Sequence, residues 1–218
     1  MICMFVSFNE IDSMTRKAFR GAGYHWGEAE DAGKAAVWLA RRRFAALPAI
    51  LALLEHGDGL ARLRPVKAAT SFSDAGGALC PVAAGIAMAD RADQFRSREM
   101  LCFANLLSPL LLLPFAAVVM ETSGCPVSLS WPSCEVVVGE GSCRCIESDG
   151  LTAPRASVEM RNLDDVDLGA SASLALALTA DVDPEQWAAL SRFAARTYVP
   201  ASEQSRVSGA GAGLSDND

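Results

Sequence analysis

The chain has 218 residues, of which 51% are hydrophobic and only 7% aromatic, with a formal net charge of −7. That length suffices for one large domain whose core needs no disulfide or metal staple, and the core must be built mainly from Ala, Leu and Val. An acidic balance argues against a nucleic-acid footprint, which would need a basic face.

Residues 4–8 (MFVSF) read as a strand or a hydrophobic staple. Asn9 is a suitable N-cap for a first helix over residues 10–20, with Ile11, Met14 and Ala18 inward. Gly21 and Gly23 end it and turn the chain into a second helix within residues 24–43. There Ala29, Ala32, Ala36 and Leu39 recur at spacings of three and four, flanked by Gly33 and Val37. Glu28, Glu30 and Asp31 in its first turns and Arg41, Arg42 and Arg43 in its last suit the helix dipole. A stripe this small lets other backbones approach closely, so this helix is expected to be the hub of the fold. Gly33 costs about 1 kcal/mol relative to Ala in a helix interior, which a close contact must offset unless the helix kinks. Residues 44–54 continue helical, with Leu47, Leu51 and Leu54 at helical spacing.

Residues 79–89 read as a buried strand or turn, followed by a polar loop through Arg98. Residues 100–120 are uncharged and long enough for a membrane span. Pro109, Pro114, Asn105 and Ser108 interrupt them, so residues 99–123 are read as a buried, interrupted helix. From Val127 the period changes to two. Val127, Leu129 and Trp131 alternate, then Cys134, Val136 and Val138, then a third strand over residues 143–146. Ala156, Val158 and Met160 make a fourth, and Leu174, Leu176 and Leu178 a fifth. Asp183-Pro184-Glu185 is a helix start that should carry a closing helix to Thr197. The tail, residues 201–218, holds Arg206 ahead of Gly209, Gly211 and Gly213.

The fold class is therefore α+β in a single domain, residues 1–218. A helical N-terminal half (residues 1–98) packs on an antiparallel sheet of about five strands (residues 124–180), closed by a C-terminal helix (residues 181–200).

Few residues carry a chemical signal. Glycines alternating behind an arginine can form an anion-binding nest with a forked donor. His25 and Trp26 stand at the entrance of the hub helix, where backbone amides favour anions, and Glu30 lies one turn on. The candidate ligand-binding residues are thus His25, Trp26, Glu30, Arg206, Gly209, Gly211 and Gly213. Cys80 would be a nucleophile only with His25 or a helix N-terminus beside it; otherwise it is a small buried residue. Arg41–Arg43, Arg62, Arg64 and Lys67 make a basic cluster that a solvated face explains. The seven cysteines, Cys3, Cys80, Cys102, Cys125, Cys134, Cys143 and Cys145, include no CxxC pair, so no metal site is expected and no cofactor is indicated. Their odd number, their apolar settings and a first eight residues without a leader pattern point to free thiols in a reducing cytoplasm.

Asn9-Glu10-Ile11, Gly21-Ala22-Gly23, Trp26-Gly27-Glu28-Ala29-Glu30 with Ala32-Gly33, and Trp38-Leu39 resemble the start of a bacterial family catalogued only as a domain of unknown function. The segments Leu79-Cys80-Pro81, Thr197-Tyr198-Val199-Pro200 and the tail from Ser205-Arg206 to Gly213 are also similar to it. The resemblance implies a soluble bacterial protein of about this length, brings no catalytic residues, and leaves the tail open between an ordered segment and a disordered terminus.

The chain is accordingly read as a cytoplasmic small-molecule protein, enzymatic or not, whose ligand is a small carboxylate or phosphate anion. The alternative is an accessory or assembly protein whose Ala/Gly and Leu-rich surfaces join copies into a homo-oligomer. A protein anchored in the membrane by residues 100–120 is the third reading.

Overall fold

The computed structural model describes residues 4–56, 66–68, 71–73, 77–94, 100–163 and 176–198. The architecture is α+β: a mainly helical N-terminal half, a large sheet, and a C-terminal helix. Strand β1 (Met4–Val6) leads into α1 (Phe8–Gly21), α2 (Trp26–Arg41) and α3 (Ala46–Glu55). Short strands β2 (Val66–Ala68) and β3 (Ser71–Ser73) precede α4 (Pro81–Ala89). Then come β4 (Met100–Leu107) and α5 (Leu113–Ser123). Strands β5 (Val127–Trp131), β6 (Cys134–Gly139), β7 (Ser142–Glu147) and β8 (Arg155–Asn162) follow. β9 (Ala180–Val182) and α6 (Pro184–Ala195) complete the order.

The expected hub is where the Ala/Gly stripe put it. Ala29, Ala32, Gly33, Ala36 and Leu39 are buried, and α2 packs against α1, α3, α4 and α5. α5 in turn rests on β5 and β6, so α2 separates an outer layer, α1, from an inner one that covers the sheet. Small side chains are what a helix flanked on several sides requires, because each neighbour must approach closely. A close contact also accounts for Gly33. A methyl group there would overlap Asp12 Oδ1 and come within 2.9 Å of Arg16 Cγ on α1.

The seven-stranded sheet runs β2-β3-β4-β8-β5-β6-β7, and β1 pairs with β9 in a separate antiparallel ribbon. Over residues 124–180 the sheet is antiparallel as expected; it extends beyond them to β4, β3 and β2, where the β3–β4 pair is parallel. Four of the five expected strands are present as β5 to β8. The fifth is not: residues 176–178 form no strand, residues 164–175 lie outside the described residues, and Leu178 is exposed. Alternation of Leu with Ala there does not track a buried face. Instead the Ala177 N–H donates to the Arg41 carbonyl at 2.9 Å, and the chain then pairs as β9 with β1.

Three further expectations are corrected. The segment 99–123 is not one interrupted helix. Its first part, Met100–Leu107, is an inner strand between β3 and β8, and only after the 3-10 turn Pro109–Leu112 does it become α5. The strand's outer positions Met100, Cys102 and Ala104 are exposed or half-buried yet apolar, so it does not alternate, and periodicity cannot distinguish such a run from a buried helix. Register shifts between Phe103 and Leu106, where Asn105 has φ +52°. The bulge lets β4 grip the segment before α4: Leu79 N–H donates to the Asn105 carbonyl and Leu107 N–H to the Leu79 carbonyl. Residues 81–89, expected as strand or turn, form α4. Pro81 supplies a fixed φ at its first position, and PVAAGIAMA is too uniformly apolar to show a helical period. α1 also begins earlier than expected, because Ser7 rather than Asn9 is its cap. Glu10 completes a capping box, taking the Ser7 N–H at 2.7 Å and giving its own N–H to Ser7 Oγ at 3.2 Å.

Candidate functional site

Among the described residues, the feature with the clearest chemical character is a cleft of about 690 Å³ between α1, the entrance of α2 and the end of α6. It is lined by Asp12, Ser13, Arg16, Lys17, Arg20, Trp26, Arg196, Thr197 and Tyr198.

The sequence of α1 builds one wall. Ile11, Thr15, Ala18 and Phe19 are buried, which turns the row Asp12, Arg16, Arg20 outward at spacings of four, with Lys17 beside it. Asp12 and Arg16 form a forked pair, Nη2 to Oδ2 at 2.8 Å and Nε to Oδ1 at 3.0 Å. Because Gly33 has no side chain, that pair lies directly over α2. Arg20 ties α1 to the next helix: its Nη1 donates to the Tyr24 carbonyl, and its guanidinium lies 4.5 Å from the centroid of the Trp26 ring.

The second wall comes from the far end of the chain. Asp183 caps α6 through Glu185 N–H at 2.8 Å, and Leu190 and Ala194 are buried. The last turn therefore lies beside α1, which the lack of a side chain at Gly21 permits. A methyl group at Gly21 would overlap the Phe193 carbonyl. Arg196 stacks on Phe193 at 4.5 Å, and Thr197 Oγ1 donates to the Ala194 carbonyl at 2.7 Å. Tyr198 stands at the rim with Lys17 Nζ 6.0 Å from its ring centre.

Electrostatically the cleft opposes the chain as a whole. Four cations face it against a single carboxylate, in a protein of net charge −7. Helix dipoles account for part of this, since Arg20 and Arg196 stand at helix C-termini, where cations are favoured. They do not account for Arg16 and Lys17 within α1, nor for two large aromatic rings left in water. Trp26 is 68% exposed and Tyr198 64%.

The structure brings one sequence-derived candidate, Trp26, into this cleft. His25 is exposed at the cap of α2, where its backbone N–H donates to Glu28 Oε2 at 2.8 Å. Glu30 is exposed as well, and neither residue lines the cleft. Arg206, Gly209, Gly211 and Gly213 lie outside the described residues. The missed residues, Asp12, Arg16, Lys17 and Arg20, had a readable signal: charge at i, i+4 on the polar face of an amphipathic helix. Arg196 and Tyr198 had none until packing set α6 beside α1. Of the expected basic cluster, the described residues include Arg41 and Arg42. Arg41 lies over Phe8 at 5.1 Å and Arg42 over Trp38 at 3.9 Å, while Arg62 and Arg64 lie outside the described residues.

Cys80 caps α4 but is fully buried, and burial pushes its thiol up despite the amides of Ala83 and Val82 beside it. Its side-chain neighbour is the Tyr24 hydroxyl at 3.7 Å, whose own ionisation burial also pushes up. A protonated thiol without access to solvent is a packing group, not a nucleophile. Among the described residues, no three His, Cys, Asp or Glu side chains gather as a metal site, and no helix is long and apolar enough to cross a membrane.

Residues 6–90 match a family described as a protein of unknown function, DUF3726. The resemblance to such a family therefore holds over α1 to α4, including the α1 wall of the cleft and Trp26; the α6 wall lies beyond the matched residues. No curated protein and no solved structure matches the chain.

Proposed function

We propose that this chain is a cytoplasmic protein that binds a small organic anion, a carboxylate or phosphate, in the cleft between α1 and α6. The observation that carries the reading is the concentration of Arg16, Lys17, Arg20 and Arg196 around one concavity of an acidic chain. Asp12 neutralises Arg16, which leaves it as an oriented, fixed group; Lys17 has no carboxylate among the cleft's lining residues other than Asp12. Guanidinium forks and an ammonium are the donors that recognise carboxylate and phosphate oxygens. From Tyr198 at the rim the chain runs on into the segment that carries Arg206, Gly209, Gly211 and Gly213, which we propose as further anion donors. A reducing compartment accords with the free thiols Cys80, Cys102, Cys125, Cys134, Cys143 and Cys145.

The test is a thermal-shift screen of the full chain against carboxylates, amino acids and phosphate esters. At a ligand concentration of about 100 times Kd, binding should add about 2.7 kcal/mol of stability and raise Tm. Stabilisation by anions that is reduced in Arg206→Ala and lost in Lys17→Gln/Arg196→Gln supports the reading. A panel without any stabilising anion contradicts it.

A further inference from the structure

Resting on the anion reading of this cleft, we infer that its ligand carries a planar unsaturated ring bearing the anionic group, and that the ring stacks on Trp26 and Tyr198. Trp26 and Tyr198 are among the most exposed large apolar side chains of the described chain, and both line the same cleft. They arrive from opposite ends of the sequence, one at the first position of α2 and one just past α6. Neither is needed to close the core, in contrast to Tyr24, which packs edge-on against Phe19 at 4.7 Å. Each carries a cation beside one face, Arg20 for Trp26 and Lys17 for Tyr198. Neither cation covers its ring, at 4.5 Å for Arg20 and 6.0 Å for Lys17, so most of each ring's surface stays open to a ligand. A rigid ring with a free face is the element that selects flat ligands, because stacking loses little conformational entropy. The same cations would meet the ligand's charged group, so ring and anion are read by one set of side chains.

The experiment measures affinity by calorimetry for matched pairs: phenyl phosphate against methyl phosphate, and benzoate against acetate. The wild-type chain should bind the ring-bearing member of at least one pair about tenfold or more tightly, as stacking on one or two aromatic side chains provides. Trp26→Ala and Tyr198→Ala should each lower that ratio, and the double variant should bring it close to one, while Trp26→Phe retains most of it. Both residues are exposed, so these variants should keep the wild-type Tm. The phosphate and carboxylate pairs distinguish which anionic group the cleft prefers. Equal affinity within both pairs overturns the ring inference and leaves the anion reading standing. Binding of none of the four overturns both.

Discussion

Gly21 of α1 lies so close to Phe193 of α6 that any side chain at position 21 would overlap the Phe193 carbonyl oxygen. Phe19 and Ala18 on α1 and Leu190 and Ala194 on α6 are buried around this crossing. The two walls of the cleft are joined there, beside Arg20, the preceding residue of α1, and Arg196, whose Cβ would lie 3.2 Å from a methyl group at position 21.

Gly21→Ala should therefore separate the helices. The clash is with backbone, which cannot move aside as a side-chain tip can. Overpacking of this kind costs about 1–3 kcal/mol. Denaturant unfolding should show a lower midpoint with an unchanged slope, and anion-induced stabilisation should fall with it.

Gly33→Ala should behave differently, and the contrast is diagnostic. Its methyl group would meet the side chains of Asp12 and Arg16, both partly exposed and able to shift. Alanine also favours helix over glycine by about 1 kcal/mol, which offsets the displacement. Stability should stay within about 1 kcal/mol of wild type, while the Asp12–Arg16 pair moves and anion affinity drops. Equal affinity in Gly33→Ala and wild type would remove Arg16 from the site.

The thiols make a third prediction. Cys80, Cys134 and Cys143 are buried, whereas Cys145 is exposed at the sheet's edge strand β7. A thiol reagent at pH 8 should label Cys145 in the native chain and reach these three only on unfolding, as mass spectrometry of labelled peptides would record. Burial pushes Cys134 and Cys143 each up to about 12, from an ordinary thiol value of 9.0. Raised in the folded state, these groups favour folding fully below pH 9.0, and that contribution is lost as pH climbs toward about 12. Tm should hold steady from neutral pH to near 9.0 and fall beyond it, and Cys143→Val should soften the fall.

Much of this architecture is legible from side-chain spacing. The small-residue stripe from Ala29 to Leu39 identifies the hub, because only a helix hemmed in on several sides needs it. Asp183-Pro184 marks the start of α6, and alternation through Val127–Trp131 and Cys134–Val138 marks two strands. Met100–Leu107 and Pro81–Ala89 resist such reading for one physical reason. In both, the exposed or half-buried positions, such as Met100, Cys102 and Ala104 on β4 and Ala83, Ile86 and Ala87 on α4, carry small or apolar residues, so no polar face reveals a period. The candidate site was half legible. Trp26 was singled out and the charged row of α1 could have been, but Arg196 and Tyr198 join it only through the tertiary crossing at Gly21.

The central claim is that the α1–α6 cleft is an anion site. Titration calorimetry of inorganic phosphate into the full chain and into Lys17→Gln/Arg196→Gln tests it most directly. The account predicts saturable binding to the wild-type chain that weakens about tenfold or more in the double variant, as loss of charge-assisted bonds implies, with Tm in the absence of phosphate essentially unchanged. Equal phosphate affinity in the two proteins would contradict it.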